Sequence, residues 1–196
     1  EITRNEGLPE GMMGRIGLTI SAADAKRVYA LVDSETKQGL YRSDDVGKTW
    51  QFVSDDANIT ARPFYFYHLH ANPQNADELW VPGNKLWRST DAGDTWTELT
   101  RNKGLPGGDL GRIGLAHSKT MPNRISAMVD SKQDTGLYRS EDGGETWTFI
   151  SGHSGITQRP FYYYHLHATP HDGNELWVCT NKLWQSLDGG ETWKQH

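Results

Sequence analysis

The sequence lacks the features that mark several common classes of protein. It has a single cysteine, Cys179, which excludes an internal disulfide framework and a cysteine-rich zinc site. It has no apolar run near the roughly 20 residues of a membrane-spanning helix, and its mean hydropathy is -0.72. No stretch keeps the 3.6-residue period of an amphipathic helix. The formal net charge of -5 argues against nucleic acid as the main partner.

The 196 residues are instead rich in glycine and in aromatic side chains, with 21 Gly, 8 Trp, 8 Tyr and 5 Phe. This aromatic content is too high for a disordered chain. Glycine permits tight turns, and aromatic side chains bury a large area between packed elements. The composition therefore predicts many short strands that are joined by tight turns and packed with aromatic residues.

The chain is an internal duplication. A shift of 97 residues aligns residues 1–99 with residues 98–196 without a gap, and more than half of the aligned positions are identical. For example, Arg15–Leu18 falls on Arg112–Leu115. We therefore divide the chain into two repeats, residues 1–99 and residues 100–196.

A shorter motif, Ser-x-Asp-x-Gly-x-Thr-Trp, occurs twice in each repeat, at spacings of about 46 and 51 residues. Such spacings are typical of one four-stranded propeller blade per motif. The prediction is an all-β fold, a β-propeller with four four-stranded antiparallel blades in this chain, two in each repeat, forming one continuous propeller or half-propeller. Strands are predicted in the first blade at Arg15–Ser21, Arg27–Asp33, Gly39–Ser43 and Thr49–Ser54, and a helical turn only at Ala22–Lys26.

The residue types of this motif indicate a structural clasp. Its Asp and Ser can accept hydrogen bonds from backbone amides across the turn, and its Gly supplies a positive φ. Its Trp begins the next strand and carries a large area into the core. A calcium loop is the alternative, but the motif lacks the several carboxylate ligands that calcium prefers. The clasp residues are Ser43, Asp45, Gly47, Trp50, Ser89, Asp91, Gly93, Trp96, Ser140, Asp142, Gly144, Trp147, Ser186, Asp188, Gly190 and Trp193.

The four motifs resemble Asp-box (BNR) repeats, which occur in sialidases, sortilin-type domains and xyloglucanase-like glycoside hydrolases. The wider sequence, including Gly-Arg-Ile-Gly-Leu, Gly-Leu-Tyr-Arg-Ser and Arg-Pro-Phe-Tyr, is similar to the bacterial sortilin-like, glycosyl-hydrolase-like propeller proteins. The resemblance implies a propeller that binds its ligand on the rim opposite the Asp-box turns. It does not define an activity, because such repeats occur on propellers with many functions.

Ten residues are expected near that opposite rim and are candidates for ligand binding. Four arginines at a channel mouth would suit a carboxylate or a sulfate; the alternative is that each pairs with an Asp of a neighbouring blade or with a strand-end carbonyl. Paired histidines two residues apart share one face of a strand, and imidazole suits zinc, copper or nickel. The alternative is hydrogen bonding across strands or a wet channel, and we expect no metal or other cofactor. The candidates are Arg15, Arg62, Arg112, Arg159, His68, His70, His165, His167, Asp33 and Asp130.

Two aromatic runs, Phe64–Tyr67 and Phe161–Tyr164, follow an Arg-Pro pair in each repeat. Alternation along a strand would place these rings on both faces of a sheet. Packing between blades is the favoured interpretation. The alternative is a platform on which the apolar faces of sugar rings stack.

A glycoside hydrolase of this kind needs two carboxylates flanking a cleft or, in sialidases, a tyrosine nucleophile with its glutamate partner. The repeated acids, Asp33 with Asp130 and Glu78 with Glu175, do not match the catalytic residues of the family. We therefore expect a binding or assembly module for a protein or glycan, with a sialidase-like or xyloglucanase-like glycoside hydrolase as the alternative.

An open array of blades leaves hydrophobic sheet faces exposed. Self-association or further blades are therefore expected to complete a larger ring, and a lone four-bladed ring is the alternative. Nucleic acid and a membrane span are not expected among the partners, and the expected location is secreted, periplasmic or at the cell surface.

Overall fold

The computed structural model describes residues 2–196, so Glu1, which the repeat alignment pairs with Glu98, lies outside the described residues. The fold is all-β, with four four-stranded antiparallel sheets, which confirms the predicted fold class. The chain divides into two compact units, one of Glu1–Val81 with Trp87–Thr97 and one of Pro82–Leu86 with Glu98–His196. Within the described residues, no helix has the length and apolar character that crossing a membrane requires.

The first sheet follows chain order from its first strand to its last. Its first two strands pair from Ile16 opposite Val32 to Ile20 opposite Val28, with a register shift between Met13 and Ile16. The strands are β1 (Met13–Ile20), β2 (Val28–Ser34), β3 (Gly39–Ser43) and β4 (Gln51–Ser54).

Two short helices follow the first sheet, α1 (Ala57–Thr60) and α2 (Pro63–Phe66). The expectation that the aromatic run after Arg62 lies on a strand is therefore wrong, and the predicted helical turn at Ala22–Lys26 is also wrong. For the aromatic run, the physical reason is the Arg-Pro pair that precedes it. Proline fixes φ and lacks an N–H, which suits the first position of a helix, and it begins α2 here.

The second sheet also follows chain order, with the strands β5 (His70–Ala71), β6 (Leu79–Pro82), β7 (Leu86–Ser89) and β8 (Thr97–Glu98). The core of the first unit lies between the first and second sheets, because it combines side chains of both. Its buried members are Tyr29, Leu31, Leu40, Ile59, Tyr67, Leu69, Leu79, Val81 and Ala92.

The second unit repeats this plan. The third sheet has the strands β9 (Leu110–His117), β10 (Ile125–Ser131), β11 (Gly136–Ser140) and β12 (Thr148–Ser151). The helix α3 (Pro160–Tyr163) leads to the fourth sheet, which has the strands β13 (His165–Ala168), β14 (Leu176–Cys179), β15 (Leu183–Ser186) and β16 (Lys194–Gln195). The buried core is formed by Ala116, Met128, Leu137, Ile156, Tyr164, Leu166, Leu176 and Val178.

Candidate functional site

The turn between β3 and β4 holds the first copy of the eight-residue motif. The Ser43 hydroxyl donates to Asp45 Oδ1 at 2.8 Å and accepts from the Gly47 amide at 2.8 Å. The Trp50 indole N–H donates to the Gly47 carbonyl at 3.1 Å, and Gly47 has a φ of 81°. The other three motifs make the same serine, aspartate, glycine and tryptophan hydrogen bonds.

The motif aspartates are held by donors from their own turns. The backbone N–H and the hydroxyl of Thr49, with the Ser43 hydroxyl, lower the pKa of Asp45 to about 2. Both carboxylate oxygens of Asp45 accept hydrogen bonds, and this occupies the atoms that a calcium ion would need. Across residues 2–196, no group of three or more His, Cys, Asp or Glu side chains is arranged to hold a metal ion.

Arg15 and Asp33 lie at the end of the first sheet opposite the motif turn, because the antiparallel register brings the start of β1 beside the end of β2. The Asp33 carboxylate lies directly against Gly14, and a Cβ at Gly14 would clash with Asp33 Oδ2. The glycine therefore leaves room for this carboxylate beside the strand.

A groove of about 430 Å³ lies between β1 and the segment before β5. Arg15 Nη1 donates to the Phe64 carbonyl at 2.8 Å, and Arg15 Nη2 is 3.5 Å from His68 Nε2. Gly17 allows this close approach, since a Cβ there would be 2.5 Å from the Tyr67 carbonyl oxygen. The groove thus brings together Arg15, His68 and His70, three of the candidate residues.

The helix α2 presents aromatic rings to solvent beside this groove. Phe64 is 75% exposed, and its ring contacts that of Tyr65 edge to face at 4.9 Å between centroids. The interpretation of this run as packing between blades is therefore wrong for Phe64. The helix begins after Arg62, which is exposed and has left-handed backbone angles, with φ 51° and ψ 60°.

The second unit places its copies of these residues similarly. Arg159 has φ 49° at the start of α3, and Tyr162 on that helix is exposed. His165 and His167 are exposed on β13 and flank a buried leucine, as expected for two residues on one face. Arg112 is half-buried on β9.

The Asp130 carboxylate is partly shielded from solvent, and this changes its pKa. Burial raises its pKa, while hydrogen bonds from the Thr135 side chain and the Arg112 backbone oppose that shift. A Cβ at Gly111 would lie against the Asp130 carboxylate, as at the equivalent glycine of the first unit.

Two buried tyrosines were not among the sequence candidates, although they are paired in the duplication. Tyr67 Oη accepts from Gln38 Nε2 at 2.5 Å. Tyr164, its copy, is 2% exposed, and its hydroxyl has no hydrogen-bond partner among the described residues. The position of Gln38 is occupied by Thr135 in the second repeat, and this difference is the sequence signal for the missing bond.

The four sheets define this chain as part of a β-propeller. No family model matches it. It is 28% identical over 208 residues to a xyloglucanase of Paenibacillus sp, covering 90% of this chain and 20% of that protein. It is 26% identical to the xyloglucanase Xgh74A of Acetivibrio thermocellus, covering 84% of this chain and 24% of that enzyme. The chain thus spans about a quarter or less of the length of these relatives.

Solved structures show the same fold. A GH74 enzyme of Niastella koreensis superposes with a TM-score of 0.57 at 20% identity, covering 91% of this chain and 37% of that one. YCF48 from Cyanidioschyzon merolae superposes with a TM-score of 0.55 at 20% identity, covering 96% of this chain and 57% of that one. The chain is therefore similar in sequence to xyloglucanases and similar in fold to several kinds of propeller.

Proposed function

We propose that this chain is a section of a glycoside-hydrolase-like propeller, that it binds a xyloglucan-type polysaccharide, and that its four motifs are Asp-box repeats. The carrying observation is the alignment of 90% of the chain with a xyloglucanase. This supports the hydrolase-related interpretation over the general binding module. An extracellular location belongs to the same proposal, because a xyloglucan polysaccharide would lie outside the cell that produces this protein.

The surface formed by Arg15, His68, Phe64 and Tyr65 is the proposed binding surface of the first unit. Sugar rings have apolar faces that pack on aromatic side chains, and their hydroxyls need hydrogen-bond partners that fix orientation. Phe64 and Tyr65 supply exposed rings, and the adjacent groove supplies a guanidinium and an imidazole. The surface therefore combines both kinds of contact within one unit.

Arg62 supports a functional interpretation of the helix start. A non-glycine residue in the left-handed region costs roughly 1–2 kcal/mol, and a following proline disfavours helical angles further. The carbonyl of Arg62 accepts from the Tyr65 and Phe66 amides, but its exposed side chain makes no capping hydrogen bond that would offset this cost. Such strain is concentrated at binding and catalytic sites, so we include Arg62 in the proposed surface.

Titration calorimetry with xyloglucan oligosaccharides tests the binding. Phe64→Ala is expected to weaken binding about tenfold, since it removes one stacked ring. Arg62→Gly is expected to weaken binding without lowering the melting temperature. The matched control is Leu187→Ala, which changes another largely exposed apolar side chain, within a motif turn. No binding by the unaltered chain, or equal losses in the control, would reject the proposal.

Hydrolysis is a separate arm of the same proposal. A general acid needs a raised pKa, and burial gives Asp130 such a shift. Release of reducing ends from xyloglucan, lost in Asp130→Asn but retained in Asp188→Asn, would support a catalytic function. Binding of xyloglucan without release of reducing ends would reject hydrolysis by this chain and retain the proposal of binding.

A protein ligand is the second candidate. A YCF48 structure with the same fold, at a TM-score of 0.50, is described as bound to D1 peptide. An exposed aromatic helix suits a peptide as well as a sugar, and a peptide array that captures the chain while oligosaccharides fail would favour this candidate.

A further inference from the structure

The loop between β2 and β3 and its copy between β10 and β11 differ in charge at one equivalent position. Residues 34–39 read Ser-Glu-Thr-Lys-Gln-Gly, and residues 131–136 read Ser-Lys-Gln-Asp-Thr-Gly. Lys37 of the first unit is therefore replaced by Asp134 in the second unit, and both residues are exposed. The two units thus present opposite charges at the same place in the fold.

In the first unit, Lys37 covers an aromatic ring. Lys37 Nζ lies 3.9 Å from the centroid of the Phe52 ring on β4. The Phe52 ring also contacts the Tyr41 ring edge to face, at 5.4 Å between centroids. An ammonium in this position is attracted by the negative face of the ring. The first unit therefore supplies an ammonium to this ring from its own loop.

The second unit keeps the ring but not the ammonium. Phe149, the copy of Phe52, contacts the Tyr138 ring at 5.2 Å between centroids, with an interplanar angle of 75° against 76° in the first unit. The Phe149 side chain is 46% exposed, and among the described residues no ammonium or guanidinium lies over its ring. Phe149 lies on β12, in the third of the four sheets, so its exposure is not that of a first or last sheet.

The backbone holds residues 37 and 134 in the same way. The Tyr41 hydroxyl donates to the Lys37 carbonyl at 2.7 Å, and the Tyr138 hydroxyl donates to the Asp134 carbonyl at 2.7 Å. Burial raises the pKa of Tyr138 to about 12, and the negative charge of Asp134 adds to this rise because the carboxylate lies near the tyrosine. The exposed Phe149 ring, which contacts Tyr138, consequently has a negative charge beside it.

We propose that Phe149 and Asp134 bind a primary ammonium group, that of a lysine side chain on a protein partner. The ammonium takes the position over Phe149 that Lys37 Nζ has over Phe52, and the Asp134 carboxylate pairs with it. A lysine side chain is the occupant because a lysine side chain fills the equivalent position in the first unit. Lys132, on the same loop as Asp134, neither pairs with that carboxylate nor lies over Phe149. The formal net charge of -5 further favours the approach of a cation.

NMR of the phenylalanine rings of the intact chain, during titration with Nα-acetyl-lysine methylamide, tests this site. A saturable shift is expected for the ring signals of Phe149 and not for those of Phe52, whose ring is already covered by Lys37. The signals of Phe149 are assigned by their loss in Phe149→Leu. The matched ligand is the same compound acetylated at Nε, which has no charge and is expected to cause no saturable shift.

The duplication supplies variants with opposite expected effects. Asp134→Lys is expected to abolish the shift at Phe149, because the chain then supplies its own ammonium, as Lys37 does at Phe52. Lys37→Asp is expected to create a second saturable shift, at Phe52. Asp134→Asn is expected to weaken binding about two- to fivefold, since it removes one exposed ion pair. Residues 37 and 134 are exposed, so all three variants are expected to fold.

The outcomes separate this site from weak, general attraction of cations to the chain. A shift at Phe149 that disappears in Asp134→Lys, with a new shift at Phe52 in Lys37→Asp, would support the proposal. The absence of a saturable shift at Phe149 in the unaltered chain, or an equal shift with the Nε-acetylated compound, would overturn it. Unchanged binding in Asp134→Lys, or no second site in Lys37→Asp, would also overturn it, because the charge at this position would then not control the site.

Discussion

The buried hydroxyl of Tyr164 gives the sharpest test of the structure, because the duplication supplies its own control. Tyr67 and Tyr164 occupy equivalent positions, and both rings are 2% exposed. The Tyr67 hydroxyl accepts from Gln38 and lies 3.4 Å from the Thr60 carbonyl. The Tyr164 hydroxyl lacks a partner among the described residues. We therefore expect removal of the two hydroxyls to have opposite effects on stability.

The magnitudes follow from the cost of unpaired buried groups. An unsatisfied buried hydroxyl costs about 1–3 kcal/mol, whereas a typical hydrogen bond contributes about 0.5–1.5 kcal/mol. Tyr164→Phe is thus expected to raise the free energy of unfolding by about 1 kcal/mol or more, and Tyr67→Phe to lower it by about 1 kcal/mol. For a chain of this length, 1 kcal/mol corresponds to a shift of roughly 2–4 °C in melting temperature.

Urea unfolding and differential scanning calorimetry measure both variants. Thr135→Gln is the complementary change, because it places in the second repeat the residue whose amide reaches Tyr67 in the first. After that change, Tyr164→Phe should lose its stabilising effect. Equal destabilisation by Tyr67→Phe and Tyr164→Phe would show that the Tyr164 hydroxyl is satisfied, and would refute the reasoning.

Three further predictions concern the backbone and the motif turns. Val46→Gly should raise the free energy of unfolding, measured in urea, by about 1 kcal/mol. Val46 has φ 64°, and the backbone strain of a left-handed valine exceeds the conformational entropy that a glycine loses on folding. The reverse change, Gly143→Val, should lower the free energy of unfolding. Gly17→Ala should destabilise by roughly 1–3 kcal/mol, since its Cβ would meet the Tyr67 carbonyl, and a neutral result would contradict that approach. The Thr146 hydroxyl and amide lower the pKa of Asp142 to about 2, so its contribution is complete above the unfolded value near 4 and is lost as pH falls towards 2. Asp142→Asn should therefore flatten acid unfolding in this range, and an unchanged pH profile would argue against the assignment.

The sheets were predictable because their signals are local and repeated. The strand Gly39–Ser43 was predicted with the observed bounds, and β2 differs from its prediction by one residue at each end. Each motif encodes its own turn through residues within eight positions of one another. The hydrogen bonds around Asp45 need no distant partner, so the sequence alone is sufficient to anticipate them.

The candidate site was less predictable because it depends on non-local backbone geometry. Strand alternation was applied to the run after Arg62, but Pro63 begins a helix and exposes Phe64 instead. The contact between Arg15 and the Phe64 carbonyl joins residues 49 positions apart, and no local pattern encodes it. The proline at the first helical position was the available signal, and it competes with the strand preference of the aromatic residues.

The two repeats can be compared at the non-glycine residues that have strained, left-handed backbone angles. The left-handed position of Val46 in the first repeat is occupied by Gly143 in the second, so the fold itself accepts the unstrained residue there. At the starts of α2 and α3, by contrast, both repeats keep an exposed left-handed arginine, Arg62 and Arg159. Glycine would relieve this backbone cost in either place. Neither arginine side chain makes a capping hydrogen bond at its helix start, and this supports the proposal that Arg62 belongs to the polysaccharide-binding surface.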